Sequence, residues 1–327
     1  MRHLRGRTLL RAATLGIASV LLAAPAALAA SPVAAAGAGY RVIDLGTLLP
    51  GGRSFATAIN ERGDVVGASD GHAVLWRDGQ IIDLGVLPEG STAVATDLNE
   101  RDEVVGYGSN DYSTSAFVWR NGQMSALELL PGADNCLADG INDKGQIVGR
   151  RTAPSGHGTR AVTWLANGRA VDLDPTGSSS LARDIANNGW IVGEMVITED
   201  PWYGGSAVWR HGVPTVIHPG TAMAVNERRQ IVGIGGGSYL WSRGVVTDLG
   251  RPAGATSFEP VDINNRTQVV GNSDGAFVWR RGVFTALPSL AGDPATAAAA
   301  GINDRGQIVG YAEAADGLTA HAVLWTR

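Results

Sequence analysis

A nine-residue phrase, Ile-Asn-x-x-Gly-x-Val/Ile-Val-Gly, spans residues 59–67 and returns six more times, including 141–149 and 302–310. Its closing glycines are Gly67, Gly106, Gly149, Gly193, Gly233, Gly271 and Gly310, separated by 39, 43, 44, 40, 38 and 39 residues. A second landmark, a tryptophan ending an apolar run, keeps the same count at Trp76, Trp119, Trp164, Trp209, Trp241, Trp279 and Trp325. Self-similarity at this period restricts the chain to repeat architectures in which each unit buries its faces against its neighbours.

Within a unit the apolar and β-branched runs are four to six residues long and bounded by Gly, Asn and Asp, the pattern of short strands. The first unit shows four, at 57–60, 64–68, 72–76 and 80–84. Asn60-Glu61-Arg62-Gly63 joins the first two and Asp78-Gly79 the last two, both with the chemistry of hairpin turns. Four strands per unit is the period of a propeller blade, and nothing follows the 3.6-residue helical period.

The chain ends bear on closure. A fourth-strand phrase, Val42-Ile43-Asp44-Leu45-Gly46, precedes the first complete unit, and the sequence stops just after a third-strand phrase ending at Trp325. Seven fourth strands exist only if the first phrase is counted. The expected fold is therefore an all-β, seven-bladed propeller of four-stranded antiparallel blades over residues 40–327. Its ring is closed by an N-terminal strand at 40–45 joining the C-terminal blade, which removes exposed sheet edges.

The first thirty residues read differently. Arg2, Arg5, Arg7 and Arg11 precede an uncharged Ala/Leu-rich run ending in Ala27-Leu28-Ala29, the design of a secretory signal peptide over 1–30, followed by a flexible linker at 31–39. The expectation is a secreted, extracellular protein with no membrane association once the leader is removed. Removal takes away four of 26 basic residues against 31 acidic ones and moves the net charge from −5 to −9. That balance argues against nucleic acid as a partner. Cys136 is the single cysteine, so no intramolecular disulfide supports the fold; it occupies a small-residue position that holds Ser54 and Ala93 in other units and is read as a structural thiol.

The units resemble the extracellular HAF repeat family, named for a His-Ala-Phe phrase leading into the tryptophan. The matching residues are His72-Ala73-Val74, Ser115-Ala116-Phe117, Arg160-Ala161-Val162, Ser206-Ala207-Val208, Gly275-Ala276-Phe277 and His321-Ala322-Val323, with Asp-Leu-Gly phrases at Asp44, Asp83 and Asp248. The resemblance spans residues 40–327 and implies an exported repeat protein, without implying a reaction or ligand. Units four and five depart from it: Ala186 replaces the turn asparagine, Ser238-Tyr239-Leu240 replaces the His-Ala-Phe phrase, and Val216-Ile217-His218-Pro219 stands where Asp-Leu-Gly is expected.

No reaction motif is present: no G-x-S-x-G elbow, H-E-x-x-H, phosphate loop or EF-hand loop. No cofactor or metal is expected. The repeated asparagines are accounted for by their turns, and the repeated tryptophans by packing. Asp97, Asp184 and Asp262 sit at one position of units two, four and six and are candidates to line a central channel. The first-hairpin length is constant, whereas the connection between second and third strands varies and is longest in units two, three, four and seven. Variable loops on a rigid scaffold are favoured places for binding. Glu199, Asp200, Trp202 and Tyr203 in the stretch 194–205, and Asn110, Asp111 and Tyr112 in unit two, combine aromatic and hydrogen-bonding groups suited to a glycan or a protein hot spot. The leading expectation is a monomeric, non-enzymatic binding or interaction module whose long-loop face takes an extracellular protein or carbohydrate. One alternative is a secreted polysaccharide-acting hydrolase or lyase using acids such as Asp111, Glu199 or Asp200; another is a structural surface protein without a ligand.

Overall fold

The computed structural model describes residues 33–34, 39–152, 158–174, 179–199, 202–314 and 316–327, with the side chains of 33–34, 197–199 and 202–203 excepted. The proposed leader, most of the linker, and Asp200 lie outside the described residues. Seven sheets of four meandering strands make up the chain, one of them extended by a two-residue parallel strand at Val33–Ala34 beside Val283–Ala286. We number the blades 1 to 7 from the first complete unit. Blade 1 runs Ser54–Ile59, Val65–Ser69, His72–Arg77 and Gln80–Gly85 from the axis outward. Its first strand starts three residues earlier than the apolar run suggests and stops at Ile59, because Asn60 belongs to the turn. Each blade's innermost strand packs against that of the next, and the innermost strand of blade 7 packs against that of blade 1.

Ring closure takes place through both chain ends. Blade 7 combines Ala297–Ile302, Ile308–Glu313 and Ala320–Thr326 with the N-terminal strand Arg41–Asp44 as its outermost member. The last pair is antiparallel, with Val42 opposite Trp325 and Asp44 opposite Val323, and Leu45 N–H donates to the Ala322 carbonyl at 2.9 Å.

The repeated residues follow from one local irregularity. Every innermost strand carries a β-bulge, placed between Ala56 and Ala58 in blade 1 and between Ala95 and Asp97 in blade 2. A bulge bends its strand and disrupts the ladder locally. In all seven blades a Cβ at the motif's final glycine would collide with the backbone carbonyl of the residue two before the unpaired one, Phe55 O at Gly67 and Val94 O at Gly106, so only glycine fits. The alanines of the His-Ala-Phe-like phrases, such as Ala73, Ala116 and Ala322, have no exposed surface. Their neighbours' first-strand residues accept the alanine N–H: Ser54 Oγ from Ala322, Ser180 Oγ from Ala161, and Cys136 Sγ from Ala116 at 3.2 Å. Cys136 thus stands in for serine, and burial pushes its thiol pKa up. His72 and His321 pair through Nδ1 with Asp83 and Asp44, whose other bonds go to Gly85 and Gly46 N–H, so the two ends of the repeat phrase hold each other.

The core is divided into seven packets, one between each pair of adjacent blades. Ala56, Val65, Val74 and Trp76 of blade 1 meet Val309 and Ala322 of blade 7, for example. Trp164, Trp209 and Trp325 lie in such packets almost without exposure and donate Nε1–H to the preceding blade's exit at Glu128, Leu173 and Pro288. Blade 5's departure from the repeat is also a packing solution. Tyr239 lies over Gly233, donates to Ser206 Oγ across the blade interface at 2.6 Å, and packs on the His218 ring of blade 4's outer strand. Among the described residues no helix is long and apolar enough to cross a membrane.

Candidate functional site

Three hydrogen-bond systems around the axis tie the blades together, and they account for many of the polar residues that the sequence repeats. The turn asparagines form the first. Asn264 Oδ1 accepts Arg266 and Gln268 N–H, while Nδ2 donates to Gln268 Oε1 and to the Asn303 carbonyl of the next blade at 2.9 Å. Asn60, Asn99, Asn142, Asn226 and Asn303 make the same blade-to-blade donation. Blade 4 has Ala186 there and makes none. The following residue supplies the second system. Glu61, Glu100, Asp143, Asn187, Glu227, Asn265 and Asp304 each accept the backbone N–H of the equivalent residue one blade back, a closed circle of seven bonds. These residues rim a cavity of about 210 Å³ at the axis.

Asp97, Asp184 and Asp262 form the third system. Each caps the next residue's N–H and reaches the next blade: Asp97 to Ile141, Asp184 to Val225, and Asp262 to Ile302, at 2.7–2.8 Å. They therefore bridge blades 2 and 3, 4 and 5, and 6 and 7. Enclosure by the inner strands pushes Asp97 well above the ordinary carboxylate range, Asp184 to about 6 and Asp262 to about 7; the charge of Asp184 adds to the effect on the other two. Asp139, also enclosed, is pushed up to about 6 despite its ion pair with Arg150 and the nearby Arg183. Among the described residues no group of three or more side chains is arranged to hold a metal ion.

The remaining sequence candidates lie on the face that carries the connections between second and third strands. Asn110 caps a tight loop, accepting Tyr112 and Ser113 N–H; Tyr112 is 94% exposed. The described parts of the stretch read as a long loop at 194–205 are instead strand. Ile191–Glu199 and Trp202–Arg210 pair out to Glu199 opposite Trp202, as the β-branched run Val196-Ile197-Thr198 favours. Asp200 and the side chains of Glu199, Trp202 and Tyr203 lie outside the described residues.

The opposite face, formed by the tight hairpins, holds a feature that the sequence reading passed over. Between blades 4 and 5 a groove of about 610 Å³ is lined by Asn188, Trp190, Arg210, Glu227, Arg228, Arg229, Trp241 and Arg243. Its arginines come from three separate turns: Arg210 at the end of Trp202–Arg210, Arg228 and Arg229 in blade 5's first hairpin, and Arg243 in the turn after Ser238–Ser242. The Arg210 guanidinium lies 4.2 Å from the Trp190 ring centroid, Arg229 lies 5.4 Å from it, and Trp241 packs beside it at 6.0 Å. A guanidinium stacked on an aromatic face keeps its in-plane N–H donors available to a ligand.

The equivalent place between blades 1 and 2 shows what is different here. There Arg77 holds Asp64 bidentately at 2.9 and 3.0 Å, Arg62 bonds both Asp64 and Asp102, and Asp102 also accepts Arg77 at 2.5 Å. By repeat position Arg77 corresponds to Arg210, Asp64 to Trp190, Asp102 to Arg229 and Arg62 to Asn188. Two arginines balanced by two carboxylates become two arginines and a tryptophan with none. Among the described residues, Arg210, Arg228, Arg229 and Arg243 make no salt bridge; the groove's one carboxylate, Glu227, is engaged by Asn187 and Asn188. The clue in the sequence was a paired departure: unit four loses both the turn asparagine and the hydrophilic residue that this asparagine bonds elsewhere, Gln230, Gln268 or Gln307.

No protein-family model and no curated protein matches the chain. Solved structures do share its fold. A streptogramin B lyase aligns with a TM-score of 0.53 at 11% identity, covering 88% of this chain and 97% of that one. YCF48 bound to D1 peptide aligns at 0.52 and 13%, covering 90% and 97%. The extracellular domain of a one-component system from B. thetaiotaomicron aligns at 0.55 and 10%, covering 88% of this chain and 40% of that one. At these identities the likeness is one of propeller fold alone.

Proposed function

We propose that this protein is a secreted, non-enzymatic binding module and that the groove between blades 4 and 5 takes an anionic ligand. The observation that carries the reading is the internal contrast: one scaffold position is charge-balanced between blades 1 and 2 and openly cationic between blades 4 and 5. A cleft lined by charges of one sign focuses the field and raises the local concentration of ions of the other. The surrounding chain is acidic, so attraction to an anion is concentrated at this groove rather than spread over the surface. The leader-like residues 1–30 and the resemblance to exported HAF repeats support an extracellular setting, and the stapled axis supports a rigid frame on which a ligand costs little ordering.

Affinity electrophoresis of the leaderless chain tests the proposal. Gels containing dextran sulfate or polygalacturonate are expected to retard it, neutral dextran to leave it unaffected, and the R210A/R229A variant to run free in all three. Retardation that R210A/R229A does not change would place binding elsewhere.

A further inference from the structure

Resting on that reading, we infer that the groove's ligand is a uronate-bearing polysaccharide, whose sugar carboxylates play toward Arg210 and Arg229 the part that Asp64 and Asp102 play toward Arg62 and Arg77. The chain itself supplies the template. Arg77 grips Asp64 through Nε and Nη2, a planar fork on a planar carboxylate, and the same guanidinium reaches Asp102 through Nη2. Arg210 occupies the same end-of-strand position in blade 4, but a tryptophan ring stands where the carboxylate stood. The ring supports the guanidinium plane from one side, a task that the ion pairs perform in blade 1, so the fork stays presented to an incoming carboxylate.

Two further features separate an acidic sugar from other anions. Glu227 places a carboxylate among the four arginines, with Asn188 beside it. A ligand made only of anionic groups meets repulsion there, whereas a sugar acid brings hydroxyl donors on the same ring as its carboxylate and can satisfy both signs. The cations are also distributed over three turns from two blades, so successive acidic residues of a chain can be met along the groove instead of a single ion at one point.

Isothermal titration of the leaderless protein with oligogalacturonate, its methyl ester, dextran sulfate and poly-L-glutamate tests this, alongside two variants. W190D/R229D places at blades 4 and 5 the two carboxylates that hold Arg77 in blades 1 and 2, now facing Arg210. R62N/D64W/D102R transplants the open pattern in the other direction. Oligogalacturonate is expected to bind at one site, with affinity falling about tenfold or more on methyl esterification and in W190D/R229D, as loss of charge-assisted bidentate bonds requires. The transplant is expected to raise the stoichiometry toward two. Equal binding of the methyl ester, or undiminished binding by W190D/R229D, overturns the inference. Tighter binding of dextran sulfate or poly-L-glutamate overturns the sugar-acid assignment while leaving an anion-binding groove in place. Failure of all three anionic probes removes both readings together.

Discussion

Replacing Asn264 by alanine probes the asparagine ring most directly. The side chain is 4% exposed and makes four hydrogen bonds at 2.9–3.0 Å: donations to Gln268 Oε1 and the Asn303 carbonyl, and acceptance from Arg266 and Gln268 N–H. At about 1 kcal/mol net for each bond the loss is about 4 kcal/mol, with part of it arising from the Gln268 N–H and amide left unpaired in a buried turn. For a domain of this size that is a fall in Tm of roughly 8 °C, read by calorimetry. Blade 4 indicates how the cost can be met. With Ala186 in place of asparagine, Asn188 Oδ1 accepts the Trp190 N–H at 3.1 Å, and the tryptophan ring removes the need for an amide partner. Blade 6 has Arg266 at the position of Asn188 and cannot supply that acceptor. The triple variant N264A/R266N/Q268W, which imports blade 4's arrangement, is therefore expected to recover more than half of the loss. A single-variant cost below about 1 kcal/mol, or no recovery in the triple variant, would refute the claim that the ring bonds stabilise the blade interface.

The channel carboxylates set a pH dependence. Asp97, Asp184 and Asp262 have folded-state pKa values raised above the unfolded value, so the folded chain binds more protons between about pH 4 and pH 7. Stability is then expected to rise as pH falls through that window and to drop only at lower pH, where Asp64, held below its usual range by Arg77, Asn60 and Arg62, becomes protonated. Urea midpoints across pH 4.5–8 should show this slope, and D97N/D184N/D262N should reduce it to the share that Asp139 contributes. Cys136→Ser is expected to change stability by less than about 1 kcal/mol, since Ser54 and Ser180 accept the same N–H, and the native thiol should resist Ellman's reagent until urea is added. A chain beginning at Thr47 loses the strand Arg41–Asp44 and should melt at least 10 °C lower; a peptide of residues 40–46 added in excess should restore part of the shift, as mass action requires.

Much of the architecture was legible because its landmarks are compulsory. A glycine under each bulge and a tryptophan between each pair of blades cannot drift without steric or packing cost, so seven of each give seven blades. The closing strand was legible because Val42-Ile43-Asp44-Leu45-Gly46 repeats the fourth-strand phrase that ends at Asp83-Leu84-Gly85 in blade 1 and Asp248-Leu249-Gly250 in blade 5. The asparagines were understood only by half. Their spacing announces a turn, but the donation from Nδ2 crosses to a residue some forty positions away, or 243 at the seam, which no local pattern records. The groove was hidden for the same reason: Trp190, Arg210, Arg229 and Arg243 converge from four separate segments, and each is ordinary in its own segment. Loop length directed attention to the other face, where part of the expected loop became strand.

The three axial aspartates have a consequence for parity. Each reaches into a neighbouring blade that has a small residue at the matching position: Gly140 beside Asp97, Ala224 beside Asp184, Gly301 beside Asp262. Acid and small residues therefore alternate around the ring, and an alternation cannot close on an odd number. The mismatch falls between blades 7 and 1, where Gly301 meets Ala58 so closely that a Cβ on the glycine would lie 3.3 Å from the alanine Cα. That is also the interface assembled from the two ends of the chain. The seam through which the ring must be completed is thus free of an axial aspartate bridge; the carboxylate that spans it is Glu61, which accepts the Asp304 N–H.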